Sequence, residues 1–163
     1  MEAWWQVIWV TAQEEFSDLA NLKDFTKASM RMLVAAVLGA VIGYERQAKG
    51  RPAGLRTHML VALGSAIFVI APAQSGMQTE DVSRVLQGVV AGIGFLGAGA
   101  IIKLTQDREI QGLTTAASIW VTASIGIAAG MGRETTAILS AVVTVFVLTV
   151  LYRLERREKG EKE

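Results

Sequence analysis

The 163-residue sequence contains no cysteine, which removes disulfides, thiolate nucleophiles and cysteine metal sites from consideration. It has one histidine, and no nucleophile–base pair stands out around it, so an enzyme is not expected. Carboxylates are missing from the apolar runs. Glu45, Glu80, Asp81, Asp107, Glu109 and Glu134 all stand at their edges or outside them. The net charge is only +1, and no nucleic-acid partner is expected. The opening residues, Met1-Glu2-Ala3-Trp4-Trp5, lack a basic segment and are soon followed by Glu14-Glu15, so no cleavable signal is expected. Proline is nearly absent, with 2 in the chain.

What remains is apolar: 52% of residues are hydrophobic and the mean hydropathy is +0.39. That composition points to an all-α, polytopic membrane protein. The most informative stretch lies between Arg84 and Lys103, an uncharged run long enough to cross a bilayer as a helix. In water its glycines would each cost a helix about 1 kcal/mol relative to alanine. In lipid they let backbones approach closely. At helical periodicity Gly88, Ala91, Gly92, Ala98 and Gly99 share one side, with Phe95 and Ile102 as knobs between the notches. Val85, Leu86, Val89, Val90, Ile93, Leu96 and Ile101 cover the other. The small side is expected to face protein, and Arg84 and Gln87 project toward it. Gly92, Gly94 and Gly97 also spell GxGxxG, but inside an apolar helix rather than a strand–helix turn. Trp120 and Thr122 stand near where the acidic partner should be, so a dinucleotide is not expected.

In chain order, residues 1–27 are expected to hold an amphipathic helix and a connector. Trp5, Ile8, Trp9, Ala12, Phe16 and Leu19 fall on one helical face. Tryptophans favour the headgroup level, so this helix should lie in the interface; packing against the bundle is the alternative. Residues 28–152 should form five spans. The first runs from about Ser29 to Tyr44, with Ala36, Gly39, Ala40 and Gly43 as a small-residue stripe that Arg46 continues. The second covers residues 52–71, with Pro52 in its first turn and Pro72 marking its end. A polar connection, 73–83, leads to the Arg84–Lys103 span. The fourth, from Leu113 to about Ala129, carries the hydroxyl stripe Thr115, Ser118 and Thr122. The fifth, from Thr135 to Tyr152, is apolar all round, and residues 153–163 form a charged tail expected to fray.

An outside amino terminus and a cytoplasmic carboxy terminus would place Arg46, Lys49, Arg51, Arg56, Lys103, Arg108 and the tail cations on the cytoplasmic side, 11 of the 16 Lys and Arg. There is also an internal echo. Gly54-Leu55-Arg56-Thr57 and Gly112-Leu113-Thr114-Thr115 open spans two and four, 58 residues apart, and the same shift lays Leu38-Gly39-Ala40 on Leu96-Gly97-Ala98. A parallel repeat of two hairpins would explain it, as would the small residues common to membrane hairpins.

Four ordered segments carry a family resemblance: Gly43-Tyr44-Glu45-Arg46-Gln47, the run Ala53 to Val61 that includes Arg56, Thr57 and His58, the run Gly92 to Ile101, and Gly112 to Ala117. Together they resemble the MgtC/SapB family of bacterial integral membrane proteins. The resemblance implies an inner-membrane location, a link to growth under magnesium limitation and, in some members, virulence. It implies a regulatory role toward other membrane machinery more than direct transport. Longer members carry a carboxy-terminal ACT-like domain. The present sequence is expected to correspond to the membrane domain alone, and nothing that depends on the other domain is carried over.

Three functional readings follow. A regulator would act through helix contacts with itself, as a dimer, and with other inner-membrane proteins; this reading fits the small-residue faces best. A magnesium or other cation transporter would need oxygen ligands, and Thr115, Ser118 and Thr122 are the candidates in the absence of midplane carboxylates. A cytoplasmic ligand pocket would use Glu45, Arg46, Arg56 and His58 with Lys103 and Arg108. Thr57, Arg84, Gly92, Gly94, Gly97, Gly99, Thr114 and Trp120 complete the set of motif candidates. No resident cofactor is expected; Mg2+ enters only as ligand or substrate.

Overall fold

The computed structural model describes residues 3–15, 21–102 and 111–160, with residues 102 and 153–160 as backbone. Every described element is a helix: α1 (Trp4–Glu15), α2 (Leu22–Ala48), α3 (Leu55–Gln74), α4 (Thr79–Ile102), α5 (Leu113–Gly130) and α6 (Glu134–Gly160). The last five are long and apolar enough to cross a membrane. The expected all-α bundle of five spans after an amino-terminal helix is therefore what the chain forms.

α5 is the hub, with α2, α3, α4 and α6 all packed on it. The tightest part is the α2–α3–α5 core, built by removing side chains rather than by filling space. A Cβ at Gly39 would lie 2.6 Å from the His58 carbonyl oxygen and 2.9 Å from Ala62 Cβ, and one at Gly43 would lie 2.7 Å from Leu55 Cα. From the other side, a Cβ at Gly126 would stand 2.2 Å from the Ala62 oxygen, and one at Gly130 2.7 Å from that of Ala66. α3 is thus held between two Gly-x-x-x-Gly notches, Gly39/Gly43 against its 54–62 stretch and Gly126/Gly130 against Ala62 and Ala66, with Ala62 met from both sides. Where lipid is as apolar as the core, such close approach supplies the packing energy that the hydrophobic effect does not. Ile42, Ile70, Ile125 and Leu148 fill the remaining space.

The 58-residue echo extends into the contacts. Gly39 of α2 meets His58 of α3, and Gly97 of α4 meets Ala116 of α5, with 3.5 Å between its Cβ position and that of Ala116. Each partner is 58 positions from its counterpart. Gly54 and Gly112, the echoed pair, are the N-caps of α3 and α5.

α4 turns the opposite way from the expectation. Ile93 is buried with Ala53, Ile119 and Ala123, and Val89 packs beside it. The small side faces outward: nothing lies within 4 Å of a Cβ built on Gly88, Gly92, Gly94 or Gly99, and Phe95 is 82% exposed. The facing surface of α5 is itself small, with Ala116 and Ala123, so the large aliphatics of α4 fill it. Arg84 is corrected with it. Its side chain is exposed and pairs at 3.6 Å with Asp81 on the same helix, not with protein behind it.

Boundaries shift as well. α2 begins at Leu22, two turns before the expected start, and α4 begins at Thr79. Pro52 precedes α3, while Pro72 lies inside its last turn and, having no N–H, leaves the Phe68 carbonyl without its usual helical donor. α6 continues as helix through the expected fraying tail to Gly160. α1 buries none of its residues; Phe16 and Leu19 lie outside the described residues.

Candidate functional site

Among the described residues, six polar or charged side chains are buried: Arg46, His58, Ser65, Thr115, Ser118 and Thr122. Five of them come from the segments singled out in the sequence, and they gather where α2, α3 and α5 meet. Helical spacing explains the α5 contribution, since Thr115, Ser118 and Thr122 stack on one face.

His58 is fully buried and ties α3 to α5. Its Nδ1 lies 2.9 Å from the Gly54 carbonyl oxygen, which can only accept, so Nδ1 carries a proton and donates. Its Nε2 lies 3.1 Å from Ser118 Oγ. Ser118 Oγ is also 2.8 Å from the Thr115 carbonyl oxygen. One hydroxyl proton cannot serve both. With a neutral ring it is donated to Nε2, and with a charged ring it is donated to Thr115. Thr122 Oγ1 donates to the Ser118 carbonyl at 2.8 Å. Ser118 and Thr122 therefore spend their hydroxyl protons on their own helix and on one imidazole, inside an interface closed by Gly39, Gly43 and Gly126.

One turn along α2 lies a charged cluster. Glu45 accepts from Arg46 Nε through Oε2 and pairs with Lys49 through Oε1. Lys49 Nζ also donates to the Leu148 carbonyl at 2.7 Å and sits 4.3 Å from the centre of the Tyr152 ring. The Arg51 guanidinium is 5.8 Å from the same ring. The end of α2 is thereby fastened to α6. Gln47 Oε1 accepts from the Leu55 N–H at 3.2 Å, which caps the first turn of α3.

Other motif candidates do not join these clusters. Arg56, Thr57, Thr114 and Trp120 are exposed, as are Arg84 and the glycines at 92, 94 and 99; Lys103 and Arg108 lie outside the described residues. Lys49, Gly130 and Tyr152 take part in these contacts and were not singled out by sequence. Glu45 and Lys49 stand at i,i+4, and Gly126 and Gly130 form a Gly-x-x-x-Gly pair, so both had a readable signal. Tyr152 had none. Among the described residues, no three of His, Cys, Asp and Glu gather as a metal site.

Comparison with known proteins adds the lineage. The family model described as MgtC family matches residues 32–157. Protein SrpB of Synechococcus elongatus is 44% identical over 144 residues, 82% of this chain and 79% of that protein. YhiD of Escherichia coli (strain K12), whose name provisionally calls it a magnesium transporter, is 43% identical over 78% of this chain and 62% of its own length. Protein MgtC of Salmonella typhimurium is 42% identical over 76% of this chain and 52% of its own. The chain thus spans little more than half the length of MgtC. No solved structure matches it.

Proposed function

Because the chain belongs to the MgtC family, we propose that it serves adaptation to low magnesium as a regulator of other inner-membrane proteins, acting through helix contacts rather than by moving ions. The observation that carries this reading is the commitment of Ser118 and Thr122 to backbone carbonyls and His58, within helix interfaces that glycines close. Magnesium keeps most of its waters and binds oxygens that are free to face it. The hydroxyls proposed as its ligands belong to side chains 3% exposed or less, packed between helices, and do not face such an ion. α4, by contrast, offers Phe95 and an open glycine face, beside a groove of about 590 Å³ that it forms with α3. That surface suits contact with another helix, in a dimer or with a different membrane protein.

In magnesium-starved cells lacking their own family members, this chain should restore growth. Thr122→Val, which keeps shape and removes the hydroxyl, should restore it as well as wild type. Loss of growth support by a normally accumulating Thr122→Val protein would count against the regulator reading. The second reading, cation transport, rests on the name of the YhiD relative and predicts that loss.

We also propose that the amino terminus lies outside and that α1 rests in the outer interface, its Trp4, Trp5 and Trp9 at headgroup level. The cysteine-free chain allows a direct check. Ser75→Cys should react with an impermeant maleimide in intact cells, and Lys159→Cys only after lysis. The reverse pattern would invert the orientation.

A further inference from the structure

We propose that the end of the bundle formed by Arg46, Lys49 and Arg51 is a binding site for a phosphate oxyanion. The side chain of Arg46 is only 3% exposed. A guanidinium has five N–H donors, and among the described residues only Glu45 Oε2 accepts from this one. A guanidinium this buried, with one carboxylate for its five donors, would be served further by several oxygens on one small anion.

The local charge has the right sign. Arg46, Lys49 and Arg51 stand against the single carboxylate of Glu45, which is already shared by the first two. Lys49 and Arg51 both lie over Tyr152, so Arg51 is held close to Lys49, and among the described residues no carboxylate other than Glu45 pairs with either.

The backbone adds to it. Gly43 abuts Gly54, Leu55 and His58, and Arg46 stands one turn further along the same side of α2, beside the first turn of α3. α3 and α5 both begin at this end, each behind a glycine N-cap with no side-chain cap bond. His58, in the first turn of α3, bonds Ser118, in the second turn of α5. Both helices therefore turn the positive ends of their dipoles to this end of the bundle, where Gln47 already caps the Leu55 N–H.

The 49–54 turn also lies at the edge of the spans, where lipid phosphates reside. A phospholipid headgroup and a phosphate from the aqueous phase present the same chemistry to this site. The proposal does not depend on whether the protein regulates or transports.

The test uses the full chain in dodecyl maltoside, which contains no phosphorus. Thermal unfolding is followed while inorganic phosphate or phosphatidylglycerol is titrated in, against chloride at equal ionic strength and against diacylglycerol. The wild type should be stabilised saturably by phosphate, by phosphatidylglycerol or by both, and not by the controls. A response to phosphate identifies a soluble anion as sufficient; a response to phosphatidylglycerol alone identifies the headgroup. Arg46→Gln should weaken the apparent affinity about tenfold or more, the value of one charge-assisted contact. Arg51→Gln, exposed and safe for folding, should weaken it severalfold, and Arg84→Gln at the opposite end should leave it unchanged. No response to either probe, or an undiminished one in Arg51→Gln and in any folded Arg46→Gln, would overturn the proposal.

Discussion

Gly126→Ala should cost the protein about 3 kcal/mol or more, at the upper end of what overpacking does in a tight core. Helix propensity alone predicts the opposite sign, a gain of up to about 1 kcal/mol. Sterics decide it. The new methyl would stand 2.2 Å from the Ala62 carbonyl oxygen and 2.9 Å from two further backbone atoms of α3. No rotamer can relieve a clash with backbone, so α3 must move away from α5. α3 is also held from behind by Gly39 and Gly43. Gly92→Ala, with open space around its Cβ position, should be neutral or slightly stabilising for the protomer. Unfolding of both variants in detergent compares them directly. A Gly126→Ala protein as stable as wild type would mean that α3 and α5 are not in contact as described.

Glu45→Ala is the second large effect, expected at about 3–5 kcal/mol, the cost of leaving a buried charge without its partner. Glu45 and Arg46 have side chains 12% and 3% exposed, and Lys49 shares the same carboxylate. Its loss leaves three cations facing one another at the junction of α2 and α6. Asp81→Ala breaks an ion pair of similar composition, but its arginine is 79% exposed. Solvent screens that pair, and the change should stay within about 1 kcal/mol. Heat or denaturant unfolding of the two variants side by side tests whether burial, rather than pairing, sets the effect. Equal and small losses would place Glu45 in solvent.

The features read correctly from sequence are those that a helix fixes by itself. Span lengths follow from hydrophobic runs, and Thr115, Ser118 and Thr122 share a face because the spacing requires it. Gly39 and Gly43 announced a close approach that α3 does supply. The direction of α4 was not legible, for a physical reason. In lipid, glycine and valine are both acceptable on an outer face, so periodicity separates two faces without saying which turns inward. The answer came from α5, whose Ala116 and Ala123 leave room that Val89 and Ile93 fill. Arg84 was misplaced with its helix. The link from Lys49 to the Leu148 carbonyl and to Tyr152 joins residues about a hundred positions apart, and no local pattern marks it.

The most direct measurement of the central claim is magnesium flux into liposomes that contain only this protein. If the hydroxyls of α5 are structural and the glycine-closed interfaces are shut, entry of Mg2+ should match that of empty vesicles, with or without a membrane potential. Saturable uptake that disappears in a folded Thr122→Val protein would contradict the account and assign Thr122 to an ion path.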